Sequence, residues 1–222
     1  MMKRLVVLDV DDTLYLERDY VHSGFHAVDG VVSTKFGVEG FFATAWPAFL
    51  NGQRRTIFNQ ALQSLGVPDT DEIVSSLVQA YRTHTPTISL MPDAEEFLRL
   101  QRPEAHLAVI TDGPVDSQRA KVEALGLPEL VDAIILTGER GPDWGKPSPR
   151  AFTELQEQFG MKAADCTYYG DNPIKDFGGP ELLGWNTVRI QRVGGLHFDA
   201  EPLQTVRTLE DFAGEIQQAA PA

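Results

Sequence analysis

Three carboxylates, Asp9, Asp11 and Asp12, follow directly on the apolar run Leu5-Val6-Val7-Leu8. Two unit charges about 4 Å apart repel by about 4 kcal/mol at an effective dielectric near 20, so a chain keeps such a cluster where a cation or a substrate uses it. Carboxylates hold a hard cation such as magnesium together with waters and a phosphate oxygen. One carboxylate can also act as a nucleophile while a neighbour moves a proton. Three later runs carry groups of the same kind: Val109-Ile110-Thr111-Asp112-Gly113, Gly145-Lys146-Pro147-Ser148-Pro149 and Tyr169-Gly170-Asp171-Asn172-Pro173-Ile174-Lys175-Asp176.

The elements that must position these groups follow from hydrophobic pattern. The run Leu5 to Leu8 lacks polar alternation and reads as a strand buried on both faces. From about Tyr15 to Thr87 no strand pattern is visible, and four helical stripes follow one another. Val21, Phe25, Val28, Val32 and Phe36 form the first. Phe41, Phe42, Ala45, Trp46 and Phe49 form the second, which Pro47 interrupts. Ile57, Phe58, Ala61, Leu62 and Leu65 form the third, closed by Gly66. Ile73, Leu77, Val78 and Tyr81 form the fourth, behind an acidic start. From Pro92 the pattern alternates, with strands expected at 106–110, 133–136, 166–169 and 187–190. Helices are expected at 92–100, 115–125, from Ser148-Pro149 to 159, at 174–183, and from Thr208 to the end. Repeated βα units require a parallel sheet with helices on both faces. Ligands in such sheets sit at the carboxyl ends of strands, which is where Asp9, Thr111 and Asp171 fall.

Taken in order, the motifs resemble those of the haloacid dehalogenase-like (HAD) phosphohydrolases. They are Asp9-x-Asp11-x-Thr13 after a strand, a second strand ending in Thr111, Gly145-Lys146-Pro147 ahead of a helix, and Gly170-Asp171 followed by Asp176. The resemblance covers the whole chain, and the helical insert stands where the family's type 1 cap belongs. It implies an α/β fold with a Rossmann-like parallel core of strand order 5-4-1-2-3. Residues 1–14 and 88–222 would form that core, and 15–87 the helical cap.

The chemistry this implies can be followed residue by residue. Phosphate monoesters hydrolyse so slowly that a catalyst must supply on the order of 20 kcal/mol, and a carboxylate nucleophile splits the reaction into two easier steps. Asp9 is expected to attack phosphorus and form an aspartyl-phosphate. Asp11 would protonate the leaving oxygen and then take a proton from water; it must start protonated, which crowding by other acids favours. Thr111, with the backbone of Asp112 and Gly113, would bind phosphoryl oxygens. Lys146 would offset charge on Asp9 and on the transferring group. The cofactor implied is Mg2+, on Asp9, Asp171 and, as the family adds, the backbone carbonyl of Asp11. Asp176 would support the metal's waters or orient Lys146.

Plainer readings stand beside these. Asp12 reads as a solvated turn residue or local cap, and the Asp112 side chain as solvent-facing. His22 and His26, four apart with Asp29 near, have a spacing zinc could use, with polar-face histidines as the default. Arg54 and Arg55 read as a solvated pair or as anion readers. Within the family, Asp11 favours phosphate chemistry over dehalogenation, and Val10 stands where P-type ATPases carry lysine. A β-phosphoglucomutase-like phosphotransferase and a non-catalytic binding protein on the same scaffold remain as alternatives. The Asp12-Thr13-Leu14-Tyr15 and Gly170-Asp171-Asn172-Pro173 runs look most like the branch of pyrimidine nucleotidases and N-acylneuraminate phosphatases, implying a sugar phosphate or nucleotide substrate.

Composition bounds the partners. A formal net charge of −13 over 222 residues argues against nucleic acid and anionic membranes, which select basic surfaces, but not against a small phosphorylated metabolite at a pocket. Cys166 is the only cysteine, so no intrachain disulfide forms. With no apolar leader or membrane-length stretch evident, a soluble cytoplasmic protein is expected, monomeric or homodimeric.

Overall fold

The computed structural model describes residues 3–201 and 206–219. Six strands, β1 (Arg4–Leu8), β2 (Ala105–Thr111), β3 (Ala133–Leu136), β4 (Cys166–Gly170), β5 (Asn186–Ile190) and β6 (Arg207–Leu209), form one parallel sheet in the order β3-β2-β1-β4-β5-β6. The expected order 5-4-1-2-3 is this one read from the opposite edge, with a sixth strand added outside β5. β1 is central: Leu8 stands opposite Val109 of β2 and Tyr169 of β4, which fixes its carboxyl end beside theirs. Its apolar run is buried because both faces are covered. On one face Leu5 and Val7 join Ile110, Phe152, Leu155, Phe177 and Trp185. On the other, Phe97 stacks on Phe212 and meets Tyr169 edge-on.

Two expected helices are corrected. Arg207–Leu209 pairs with β5, Val188 opposite Arg207, so Thr208 lies in a strand and the closing helix is Ala213–Ala219. The helix expected at 174–183 is confined to Gly178–Leu182. Ahead of it the Asn172 and Asp176 side chains accept the backbone N–H groups of Ile174 and Asn172, at 3.0 and 2.8 Å, holding a turn instead.

The chain divides into two compact units, one of residues up to Arg18 and from Ile88 onward, the other of Asp19–Thr87. The division falls four residues after the boundary expected at Tyr15, and Tyr15 itself is fully buried. The second unit is built from the helix Glu17–Phe36, less its first two residues, and helices Phe41–Leu50, Ile57–Ser64 and Asp71–Thr83. Pro47 sits inside the second of these without ending it. Phe25 is the centre of this unit's core, meeting Phe41, Phe49 and Phe58 edge-on at 6.0–6.3 Å. Thr70 caps the last helix by accepting the Ile73 N–H. No helix among the described residues is long and apolar enough to cross a membrane.

Candidate active site

Asp9 leaves the carboxyl end of β1 with its N–H donated to the Tyr169 carbonyl of β4 at 2.8 Å, which aims its side chain over the sheet's edge. Asp171 follows directly on β4, and Asp176 folds back over the same strand end through the turn described above. Gly170 makes that approach possible, since a Cβ there would stand 2.5 Å from Asp176 Oδ2. Asp9, Asp171 and Asp176 are all buried and each offers an oxygen within 4.8 Å of the others.

Lys146 enters this cluster fully buried, its Nζ 2.5 Å from Asp9 Oδ1 and 2.8 Å from Asp176 Oδ1. It also donates to the Tyr168 hydroxyl at 2.9 Å. Burial opposes its charge, but Asp176 and Asp9 hold the ammonium well above the usual lysine range. One cation does not balance three acids. Burial, only partly offset by Lys146, pushes Asp9 up to about 7. Burial, then Asp176 and Asp9, raises Asp171 well above the ordinary carboxylate range. Buried carboxylates held at high energy for want of positive charge suit a hard divalent cation with oxygen ligands.

Asp11 occupies a different environment. Lys121 Nζ contacts its two oxygens at 2.7 and 2.9 Å, the Tyr15 hydroxyl donates to Oδ1 at 2.5 Å, and Gln118 Nε2 lies 3.3 Å from Oδ2. Burial alone would raise its pKa, but Lys121 and these hydrogen bonds hold it below the usual carboxylate range. The expectation that crowding keeps Asp11 protonated is therefore corrected: the charged group in contact with it is a lysine, not another acid. Asp12 is not solvated either. It is buried, with φ 51°, and its carboxylate accepts the N–H of Glu17 at 2.8 Å and of Leu196 at 2.6 Å, the local-cap alternative. Burial raises it to about 6 despite those bonds.

Thr111 closes β2 and donates its hydroxyl to Gln118 Oε1 at 2.9 Å. Gln118 Nε2 reaches the Asp112 carbonyl at 2.7 Å, close to Gly113, where φ is 138° and a Cβ would stand 2.6 Å from that nitrogen. The Asp112 side chain is turned inward: it accepts from Thr137 Oγ1 at 2.7 Å and from the Lys146 N–H at 3.2–3.3 Å. Its Oδ2 also lies 3.8 Å from Lys175 Nζ.

Sequence reasoning missed Tyr168, Gln118 and Lys121. The last two carry no hydrophobic signal: the helix Val115–Ala124 buries Ser117, Gln118, Lys121 and Val122, a stripe too polar for an apolar pattern to mark. Tyr168 stands in a fully buried strand position, where a hydroxyl needs a partner. Of the histidine pair, His26 is exposed and stacked on Phe42 at 3.8 Å, and His22 is half-buried and edge-on to Trp46. Arg54 lies over the Phe49 ring and donates to the Phe49 and Gln53 carbonyls.

Together these groups place a buried carboxylate at a strand end, a lysine against it, three acids able to share a cation, and a separately held carboxylate two residues on. A model of the haloacid dehalogenase-like hydrolase family matches residues 3–181. Among curated relatives, a phosphoserine phosphatase from Thermus thermophilus is 33% identical over 172 residues, 77% of this chain and 65% of that one. The chain thus spans just under two thirds of that relative. A glyceraldehyde 3-phosphate phosphatase from Methanopyrus kandleri is 27% identical over 210 residues, 90% of this chain and 88% of that one. Among solved structures, the HAD-hydrolase YfnB from Bacillus subtilis, bound to magnesium, aligns with a TM-score of 0.66 at 16% identity over 99% of both chains, a likeness of fold.

Proposed function

The chain belongs to the haloacid dehalogenase-like hydrolases, and on that premise we propose that it is a magnesium-dependent phosphatase acting on a small phosphorylated metabolite, a sugar phosphate or nucleotide. The observation that carries this reading is the contact of Asp9 with Lys146 beside Asp171 and Asp176, at the carboxyl ends of β1 and β4. Names of the relatives support the chemistry: both curated proteins above are phosphatases of small molecules.

Asp9 is the nucleophile. A carboxylate with a pKa near 7 is more basic than an ordinary one, and Lys146 holds the reacting oxygen's charge and would draw the phosphoryl group's negative charge beside it. The Asp9 oxygen forms a bond to phosphorus as the bond to the leaving oxygen breaks, giving an aspartyl-phosphate. The charge of the arriving phosphate raises Asp11, which takes a proton from solvent and passes it to that leaving oxygen, and its ionised form then accepts a proton from the water that hydrolyses the intermediate. Thr111 and the amides of Asp112 and Gly113 bind phosphoryl oxygens. Asp176 fixes Lys146.

Asp9 and Asp171, with Asp176 adjacent and the Asp11 carbonyl, would hold Mg2+, and their surplus of buried negative charge fits it. When bound, the ion neutralises phosphoryl charge. Residues 19–87 act as a cap that selects among substrates. A screen of phosphorylated metabolites for released phosphate, with D9N as control, tests the reading: turnover that survives in D9N, or no turnover of any phosphate monoester, would overturn it.

A further inference from the structure

Lys121 lies outside the four motifs, on the helix Val115–Ala124, yet its side chain is only 3% exposed and its Nζ reaches both oxygens of Asp11. Each Asp11 oxygen receives two donors: Lys121 and Tyr15 on Oδ1, Lys121 and Gln118 on Oδ2. A carboxylate gripped on both oxygens by a buried ammonium has its plane and rotamer fixed, which a single hydrogen bond would not do. Gln118 extends the arrangement, because the same amide accepts from Thr111. We propose that Lys121 is a positioning residue that holds the ionised Asp11 in the orientation from which it takes up a proton and passes it to the leaving group, with Tyr15 and Gln118 completing the grip. The inference rests on the reading of Asp9 as nucleophile and Asp11 as acid.

The step it serves is specific. As the Asp9 oxygen bonds to phosphorus, the bond to the leaving oxygen breaks and the Asp11 proton passes to that oxygen. An alkoxide leaves poorly without this proton, whereas a nitrophenolate leaves as the anion. Loss of positioning therefore costs far more for an alkyl phosphate than for p-nitrophenyl phosphate. The parameter to read is kcat/KM, which covers binding through the first irreversible step and excludes the later hydrolysis.

The experiment measures kcat/KM for glycerol 3-phosphate, or the best alkyl phosphate found for the wild type, and for p-nitrophenyl phosphate. The proteins are wild type, K121M, K121R, Y15F, D11N and K121M/D11N, with thermal melting to verify folding. General acid catalysis contributes about 10²–10⁴-fold. The expected result is a K121M loss at least about ten-fold larger for the alkyl ester than for the aryl ester. D11N is expected to show the same pattern, the double variant to be no worse than D11N alone, and K121R to recover part of the alkyl rate. Y15F should show the same bias at smaller amplitude, and it decides the matter if K121M does not fold. Equal losses on both esters in K121M and Y15F, or losses that multiply in the double variant, overturn the inference while leaving the nucleophile assignment standing. A wild type inert to both esters, or an active D9N, overturns the assignment of function, and this inference with it.

Discussion

The carboxylate of Asp112 accepts the backbone N–H of Lys146 on both oxygens, at 3.3 and 3.2 Å, across 34 residues of chain. The end of β2 thus fixes the loop that delivers the site's buried lysine. Thr137 Oγ1 donates to the same carboxylate at 2.7 Å, so three segments meet on one side chain.

D112A is therefore expected to act through Lys146. Removing an acceptor that leaves buried donors unpaired costs about 1–3 kcal/mol. Thermal melting should fall accordingly, and kcat/KM should fall by a similar factor on every substrate. A drop confined to some substrates would place the Asp112 side chain in contact with the leaving group instead.

K146A removes the cation that Asp9 and Asp176 share. Stripping one partner from a buried ion pair typically costs about 3–5 kcal/mol. Denaturant unfolding of the metal-free protein should register a loss of that order, and phosphate release should collapse for all substrates alike. Wild-type stability in this variant would mean that the contact contributes nothing to the fold.

Asp9 titrates near 7 in the folded chain, against 3.8 as the ordinary value, and burial is the main cause. The folded state then binds the proton more tightly than the unfolded one. This contribution leaves stability undiminished below about pH 4 and lowers it progressively as pH rises to about 7. D9N removes the penalty. In metal-free buffer its melting temperature should exceed that of wild type at pH 8, by roughly 2–4 kcal/mol equivalent, and the gap should close as pH falls toward 4. A gap that widens toward acid pH has the wrong sign and would exclude this account.

Cation dependence follows from the same surplus of charge. Exhaustive chelation should abolish turnover, and magnesium at a hundred times its dissociation constant should stabilise the fold by about 2.7 kcal/mol through linkage. D171N should lose most of that thermal shift. Full turnover after chelation counts against the ion.

Substrate choice is expected to lie in residues 19–87. Trp46 is half-buried and stacks between Phe42 and Phe49. W46A should reorder a panel of large phosphorylated metabolites by about 10–200-fold while affecting acetyl phosphate little. Uniform effects across the panel would remove Trp46 from substrate selection.

The four motifs, three of them at strand ends and one ahead of a helix, were legible in the chain. An unbroken apolar run such as Leu5 to Leu8 has one stable home, the middle of a parallel sheet, and whatever follows it must emerge at the sheet's carboxyl edge. Asp9, Thr111 and Asp171 emerge there. The helices of the second unit were equally visible, because their apolar stripes repeat at the helical period. The closing segment was not: Arg207–Leu209 is only three residues long, and its pairing with β5 is decided by the neighbouring strand rather than by its own pattern.

The protonation of Asp11 was decided by tertiary structure alone. Three acids within four positions predict mutual repulsion and a raised pKa at Asp11; Asp9 is raised too, but chiefly by burial. For Asp11 the direction reverses, because folding brings Lys121 from 110 residues away to 2.7 Å. Periodicity reports which face of a helix is buried where that face is apolar, and the buried face of Val115–Ala124 is mostly polar, so Gln118 and Lys121 went unmarked. It does not report which charge they will meet. Interaction between charges depends on separation and on the water excluded between them, and both are set only when distant segments pack.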